Sequence, residues 1–237
     1  MNNDTWTHAL ARAVVRPLIG TGLTPNHLTT LRLLTGVAAC LCLAAGPGLI
    51  AHAAGWGGAL WVLSAFLDRA DGELARIGNM MSPGGHRYDY LVDNGVNSLF
   101  FLAIGIGLRH DPVLAPVLSG YASAALGMLA GGALLLCNHL SELWEQRAGN
   151  QRIWSGAWGF HPDDALYLLG PAAWLGWLMP VLVGAAIGTC VMALVNLIRL
   201  LRQAQVTPAP VAQAQVRPVQ GRSAGPLAAK TAPEARP

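Results

Sequence analysis

Four aspartates in one short stretch have the types and spacing to do chemistry. They are Asp68, Asp71, Asp89 and Asp93, within residues 66–94, FLDRADGELARIGNMMSPGGHRYDYLVDN. Asp68 and Asp71 are i,i+3 and Asp89 and Asp93 are i,i+4, so each pair projects from one face of a helix. Gly78, Pro83, Gly84 and Gly85 lie between the pairs and can turn the chain so that two helix ends face each other. Four converging carboxylates repel one another and demand a counter-charge. Oxygen-only ligands select a hard cation, Mg²⁺ or Mn²⁺. Four carboxylates can hold two such ions, an arrangement that neutralises a transferring phosphoryl group.

Gly72 and Ala75 leave room beside Asp71 for a bulky ligand or a close helix, and Arg76 falls near the same face, able to pair with a phosphate or with the carboxylates. Each also has a plain reading, as helix packing positions or as a cytoplasmic anchor.

The elements that must position these residues are membrane helices. Of the 237 residues, 53% are hydrophobic and 11% charged, against roughly a quarter charged in soluble domains. Lipid is therefore the expected solvent, and the length allows about six spans of ~20 residues. Apolar segments fall at 28–46, 49–67, 88–108, 113–137, 163–178 and 180–201. Breaks fall at Gly46-Pro47-Gly48, the polar stretch 68–87, residues 109–112, the polar stretch 138–162, and Met179-Pro180.

With six spans, Arg12, Arg16, Arg69, Arg76, Arg87, Arg147, Arg152, Arg199 and Arg202 collect on one side and only Arg109 on the other. The positive-inside rule then puts both termini and both long loops in the cytoplasm. Residues 5–22 are mildly basic with apolar residues at helical spacing, as in an interfacial amphipathic helix. A signal peptide ending at Ala51, His52 and Ala53 is disfavoured by Arg32 and by the apolar stretch that follows almost at once. Residues 204–237, rich in Pro, Ala and Gln, are expected to be disordered. The expected fold is thus all-α and integral to the membrane. Residues 1–27 form a juxtamembrane segment, 28–203 a six-helix domain and 204–237 a tail. Cys40, Cys42, Cys137 and Cys190 lie in apolar runs without zinc spacing and read as packing residues.

The aspartate stretch resembles the signature of the CDP-alcohol phosphotransferases, D-x2-D-G-x2-A-R-x8-G-x3-D-x3-D. It is met by Asp68, Asp71, Gly72, Ala75, Arg76, Gly85, Asp89 and Asp93 with every gap kept. Residues 24–32, TPNHLTTLR, are similar to the TPN-x-x-T-x-x-R start of many members. Pro25 sits where a helix would begin, and Asn26 and Thr29 could reach a head group.

The resemblance implies a six-helix homodimer with a polar cavity open to the cytoplasm, in a bacterial inner membrane. It implies Asp68, Asp71 and Asp89 as metal ligands, and Asp93 as the general base that also touches a metal. Together with Asp68 and Asp71, Gly72, Ala75, Arg76, Gly85 and Asn26 would form the CDP site. The activity implied is transfer of a phosphatidyl group from CDP-diacylglycerol to a small alcohol with release of CMP, part of phospholipid biosynthesis.

A phosphorylated acceptor needs cations facing the cavity, and Arg87, Arg147 and Arg152 are candidates, with Arg199 in the last span. Each is equally suited to anchoring at the interface. His139, Trp144, Trp154, Trp158 and His161 read first as interfacial residues, and Asp163 and Asp164 as the first turn of a helix.

Other classes fit less well. A transporter would spread acids over several spans, and a silent paralogue would carry a damaged signature. Transfer of a CDP-linked head group to a diacylglycerol uses the same signature and stays open. No P-loop, nucleophile elbow or basic patch for nucleic acid is present.

Overall fold

The computed structural model describes residues 6–109, 120–147 and 162–206, and every regular element in them is helical. Helix α1 (Trp6–Val15) runs into a 3₁₀ turn at Arg16–Leu18. It is followed by α2 (Pro25–Leu49), α3 (Ala53–Ile77), α4 (Pro83–Leu108) and α5 (Gly120–Arg147). A 3₁₀ segment (Pro162–Leu168) leads into α6 (Leu169–Trp174) and then α7 (Leu178–Val206).

The helix starts are fixed by local chemistry. Pro25 occupies the first turn of α2, where no N–H is required, and His27 Nδ1 accepts from the Thr24 N–H at 3.2 Å. Pro83 does the same for α4, with the Ser82 hydroxyl accepting from Gly85 N–H at 3.0 Å. The break expected near Gly46 is a kink there, at φ 64° and ψ −178°.

Several boundaries differ from the sequence reading. The stretch 68–87 is not a loop: α3 continues through Asp68, Asp71 and Arg76, and only residues 78–82 turn the chain. Polarity there marks a helix end whose charged side chains turn inward, with Arg69, Asp71 and Glu73 buried. Helix α5 likewise continues through 138–147, and of the expected 138–162 loop, residues 148–161, Trp154, Trp158 and His161 included, lie outside the described residues. The last break falls at 175–177, with Gly176 at φ 73°, and not at Pro180, which sits in the first turn of α7.

Segment 163–178 is not one α-helix. It runs beside α3, tied near Arg69 by Asp164 and near Gly55 by Trp174 Nε1. Its 3₁₀ part rises ~2.0 Å per residue against ~1.5 Å for an α-helix, so a short segment covers more of α3. Helix α7 continues past residue 203 to Val206, and the rest of the expected tail lies outside the described residues. The four cysteines are free thiols.

Among the described residues, four helices are long and apolar enough to cross a membrane: Pro25–Gly46, Pro83–Leu108, Tyr121–Arg147 and Leu178–Gln203. Their outer faces carry exposed large apolar residues, such as Leu34, Leu91, Leu129, Ile187 and Leu194, as lipid contact requires. The chain is an integral membrane protein. Helix α3 is of similar length, but Asp68, Arg69, Asp71, Glu73 and Arg76 make its last third polar.

Helix α2 packs against both α3 and α4, α4 against α5, α5 against α7, and α3 against α1 and α6. Small residues set the closest crossings. A Cβ on Gly36 would lie 2.5 Å from Val96 Cγ1 and 2.9 Å from Ser64 Oγ, so glycine brings α2 against α3 and α4 at once. Helix α1 turns Thr7, Ala11 and Val15 inward and leaves Trp6, Leu10 and Val14 exposed.

Candidate functional site

Gly36 lies one turn beyond Arg32, and this tight crossing brings Arg32 between α3 and α4. The Arg32 side chain is buried. Its Nη1 lies 2.9 Å from Asp68 Oδ1 and 3.7 Å from Asp89 Oδ1, and its Nη2 lies 2.6 Å from Asp93 Oδ1. Thr29, one turn earlier on α2, donates its hydroxyl to Asp71 Oδ2 at 2.7 Å. The start of α2 thus reaches all four aspartates, which come from the end of α3 and the beginning of α4.

Asp68, Asp71 and Asp89 each offer an oxygen within 4.8 Å of the others. Asp89 Oδ1 is buried with no hydrogen-bond donor, an expensive state for a carboxylate oxygen unless a cation supplies what a donor does not. One guanidinium against four carboxylates also leaves the site short of positive charge. The all-oxygen donor set and the orphaned oxygen fit a hard divalent cation. Asp93 stands beside this trio, with Oδ1 also accepting from Asn97 Nδ2 at 2.6 Å.

A cavity opens on each side of the aspartates. The first, about 200 Å³, is lined by Asn26, Asp71, Gly72, Ala75, Arg76, Gly85, His86 and Asp89, with Thr29 and Ser82. It gathers every residue of the expected CDP site except Asp68. Gly85 is required there by close approach: a Cβ would stand 2.9 Å from Ser82 Oγ and 3.2 Å from Asn26 Oδ1. Arg76 folds back over Gly72, its Nη2 donating to Glu73 Oε1 at 2.8 Å.

The second cavity, about 540 Å³, lies between α3, α4, α5 and the 3₁₀ segment. Asp68, His86 and Asp93 reach it, with Tyr90, Asn94, Asn97, Asn138, Ser141, Glu142 and Glu145. The cavities meet at His86, and the aspartates form the wall between them. Arg87 and Arg147 are exposed and line neither cavity, Arg199 is half-buried on α7 and lines neither, and Arg152 lies outside the described residues.

The sequence reading assigned no role to Arg32 or Glu73. The signal for Arg32 was a cation inside an apolar span, a costly placement that marks function. Glu73 is a buried carboxylate on α3, accepting from Arg12 Nε at 3.1 Å and Arg76, and bonded to His8 Nδ1 at 2.8 Å. Asp164 is less a simple cap than a tie, accepting from Thr7 Oγ1 at 2.9 Å and Arg69 Nη2 at 3.3 Å.

Residues 22–156 match the family model for CDP-alcohol phosphatidyltransferase. The chain therefore belongs to the CDP-alcohol phosphatidyltransferase family, enzymes that transfer substituted phosphate groups. Its fold is similar to that of the crystal structure of Mycobacterium tuberculosis phosphatidylinositol phosphate synthase with CDP-DAG bound, with a TM-score of 0.53. The likeness covers 84% of this chain and 92% of that one, at 17% identity. No curated protein matches the chain by sequence.

Proposed function

We propose that the protein transfers a phosphatidyl group from CDP-diacylglycerol to a small alcohol and releases CMP. The observation that carries this reading is the pair of cavities divided by one wall of aspartates, with Asp71, Gly72, Ala75, Arg76, Gly85 and Asp89 on one side and Asp68 and Asp93 open to the other. Such a wall suits two substrates that must meet at one phosphorus. The similarity to a synthase whose structure holds CDP-DAG supports the choice of donor.

In this reading Asn26, Gly72, Ala75, Arg76 and Gly85 bind the CDP moiety, with Arg76 aimed at phosphate oxygens. Asp68, Asp71, Asp89 and Asp93 hold Mg²⁺ or Mn²⁺, as two ions. The bound cations would neutralise charge building on the transferring phosphate. Asp93 takes the acceptor hydroxyl proton. The acceptor oxygen bonds to the phosphorus that carries the lipid, the bond from that phosphorus to the bridging pyrophosphate oxygen breaks, and CMP departs with the electron pair. Arg32 and Asn97 hold Asp93 in place.

The membrane domain is residues 28–203, crossing six times when α3 and the composite 3₁₀–α6 segment are counted with the four apolar helices. Residues 1–27 form the interfacial segment. The termini and the site face the cytoplasm of a bacterial inner membrane, where the arginines concentrate, and the protein works as a homodimer, as the family resemblance implies.

The test is CMP release by detergent-purified protein given CDP-diacylglycerol, Mg²⁺ or Mn²⁺, and a panel of small alcohols. Cation-dependent release that is lost in Asp93→Asn supports the reading. Release only from a soluble CDP-alcohol with diacylglycerol would reverse the polarity, and release from neither donor would sink it.

A further inference from the structure

His86 stands where the two cavities meet and lines both of them. Its place on α4 is fixed: the helix begins at Pro83, and the His86 N–H donates to the Ser82 carbonyl at 3.0 Å in the first turn. Asp89 and Asp93 follow it by three and seven residues, so the three side chains share one face of the helix. The imidazole is exposed, and it lies near enough to the Asp89 carboxylate for the two to interact electrostatically. The family signature fixes Gly85, Asp89 and Asp93 along this stretch and leaves the position of His86 open.

In a transfer between two cavities, the group common to both is the transferring phosphate. It is joined to CMP on the first side and to the acceptor on the second. A side chain that borders both cavities can hold that phosphate throughout the transfer. Imidazole offers a ring N–H in its neutral form as well as when protonated, so it can donate to a non-bridging phosphate oxygen in either state. Such a bond strengthens as negative charge collects on those oxygens in the transition state. Resting on the transferase reading above, we propose that His86 is a further catalytic residue, donating a ring N–H to a non-bridging oxygen of the transferring phosphate. The proton stays on the ring. Asp93 still takes the acceptor hydroxyl proton, and CMP still departs with the electron pair of the broken bond. Because the signature leaves this position open, His86 adds to the shared machinery, and its loss slows the reaction without stopping it.

The test measures kcat and KM for CMP release from CDP-diacylglycerol with Mg²⁺ or Mn²⁺. The acceptor is whichever of serine, inositol, glycerol 3-phosphate and inositol phosphate the unaltered protein uses best. His86→Ala should lower kcat by about 10–100-fold, the range for one hydrogen bond to a charged group, while KM for CDP-diacylglycerol stays nearly constant. His86→Gln, which returns an N–H donor, should fall between His86→Ala and the unaltered protein in kcat. Thermal unfolding in detergent should be the same in all three, since the side chain is exposed. An unchanged kcat in His86→Ala, or equal losses in the two variants, overturns this proposal and leaves the transferase reading standing. A raised KM for CDP-diacylglycerol at constant kcat also overturns it, because His86 would then only bind the donor. No CMP release by the unaltered protein with any acceptor overturns the transferase reading and this proposal together.

Discussion

Arg32 Nη2 lies 2.6 Å from Asp93 Oδ1, and Asn97 Nδ2 donates to that same oxygen at 2.6 Å. Both bonds use Oδ1 and neither uses Oδ2. One oxygen of Asp93 is therefore anchored by α2 and by its own helix, while the carboxylate still borders the second cavity. The same guanidinium touches Asp68 and approaches Asp89, so the positions of the proposed base and of two proposed metal ligands depend on one side chain.

Replacing Arg32 by methionine removes the buried positive charge from among four carboxylates. Breaking a buried pair in this way costs about 3–5 kcal/mol. A divalent cation should return more stability to the variant than it adds to the unaltered protein, because it supplies the missing charge. Thermal unfolding in detergent, in EDTA and in Mg²⁺, measures both differences. An equal Mg²⁺ shift in the two proteins would separate Arg32 from the cation site.

Asp93→Asn keeps the Asn97 contact geometry within reach but removes the proposed proton acceptor. We expect kcat for CMP release to fall by about 10²–10⁴-fold, the range of general-base contributions. Binding of CDP-diacylglycerol should change little, because Asp93 does not line the first cavity. A variant that keeps full kcat would take Asp93 out of the chemistry.

The clustering of the aspartates was legible in the sequence because they are local: i,i+3 and i,i+4 pairs at the ends of two adjacent helices need only one turn of chain to converge. Asn26 and Gly85, distant in sequence, were legible only through the family resemblance, and the structure brings them to the same wall. Arg32, Glu73 and the amides Asn94, Asn97 and Asn138 depend on which helix faces meet, and hydropathy says nothing of that. The same limit explains the boundaries. Hydropathy ended α3 near 67 and began α4 near 88 because it tracks where lipid stops, whereas the helices run on to Ile77 and back to Pro83, where Asn79 at φ 53° and the Ser82 cap turn the chain. The 3₁₀ segment at 162–168 was unreadable, since an apolar run sheltered by α3 looks the same in either helical form.

Glu73 joins α1 to the first cavity. Its buried carboxylate holds His8 and Arg12 from α1 and also Arg76, which lines that cavity. Glu73→Gln should lower stability by about 2 kcal/mol, the scale of hydrogen bonds to a charged group. It should also raise KM for CDP-diacylglycerol more than it lowers kcat, since Arg76 loses its support. Hydrogen exchange in residues 6–15 should quicken in the variant as α1 loosens. Unchanged exchange there, with unchanged KM, would reduce Glu73 to a local ion pair.

Gly36 tests whether the site is set by helix approach. A valine there would drive a methyl into Val96 and Ser64, which stand 2.5 Å and 2.9 Å from the position of a Cβ. Helix α2 must then move away from α3 and α4, at an overpacking cost of about 1–3 kcal/mol. The movement carries Arg32 from the aspartates and breaks the Ser64 hydroxyl bond to the Arg32 carbonyl, now 3.1 Å. We expect Gly36→Val to fold in detergent yet to lose cation-dependent CMP release, whereas Gly48→Ala, at a position where a Cβ meets nothing, should keep it. Equal activity in the two variants would show that Arg32 reaches the aspartates without the close crossing at Gly36.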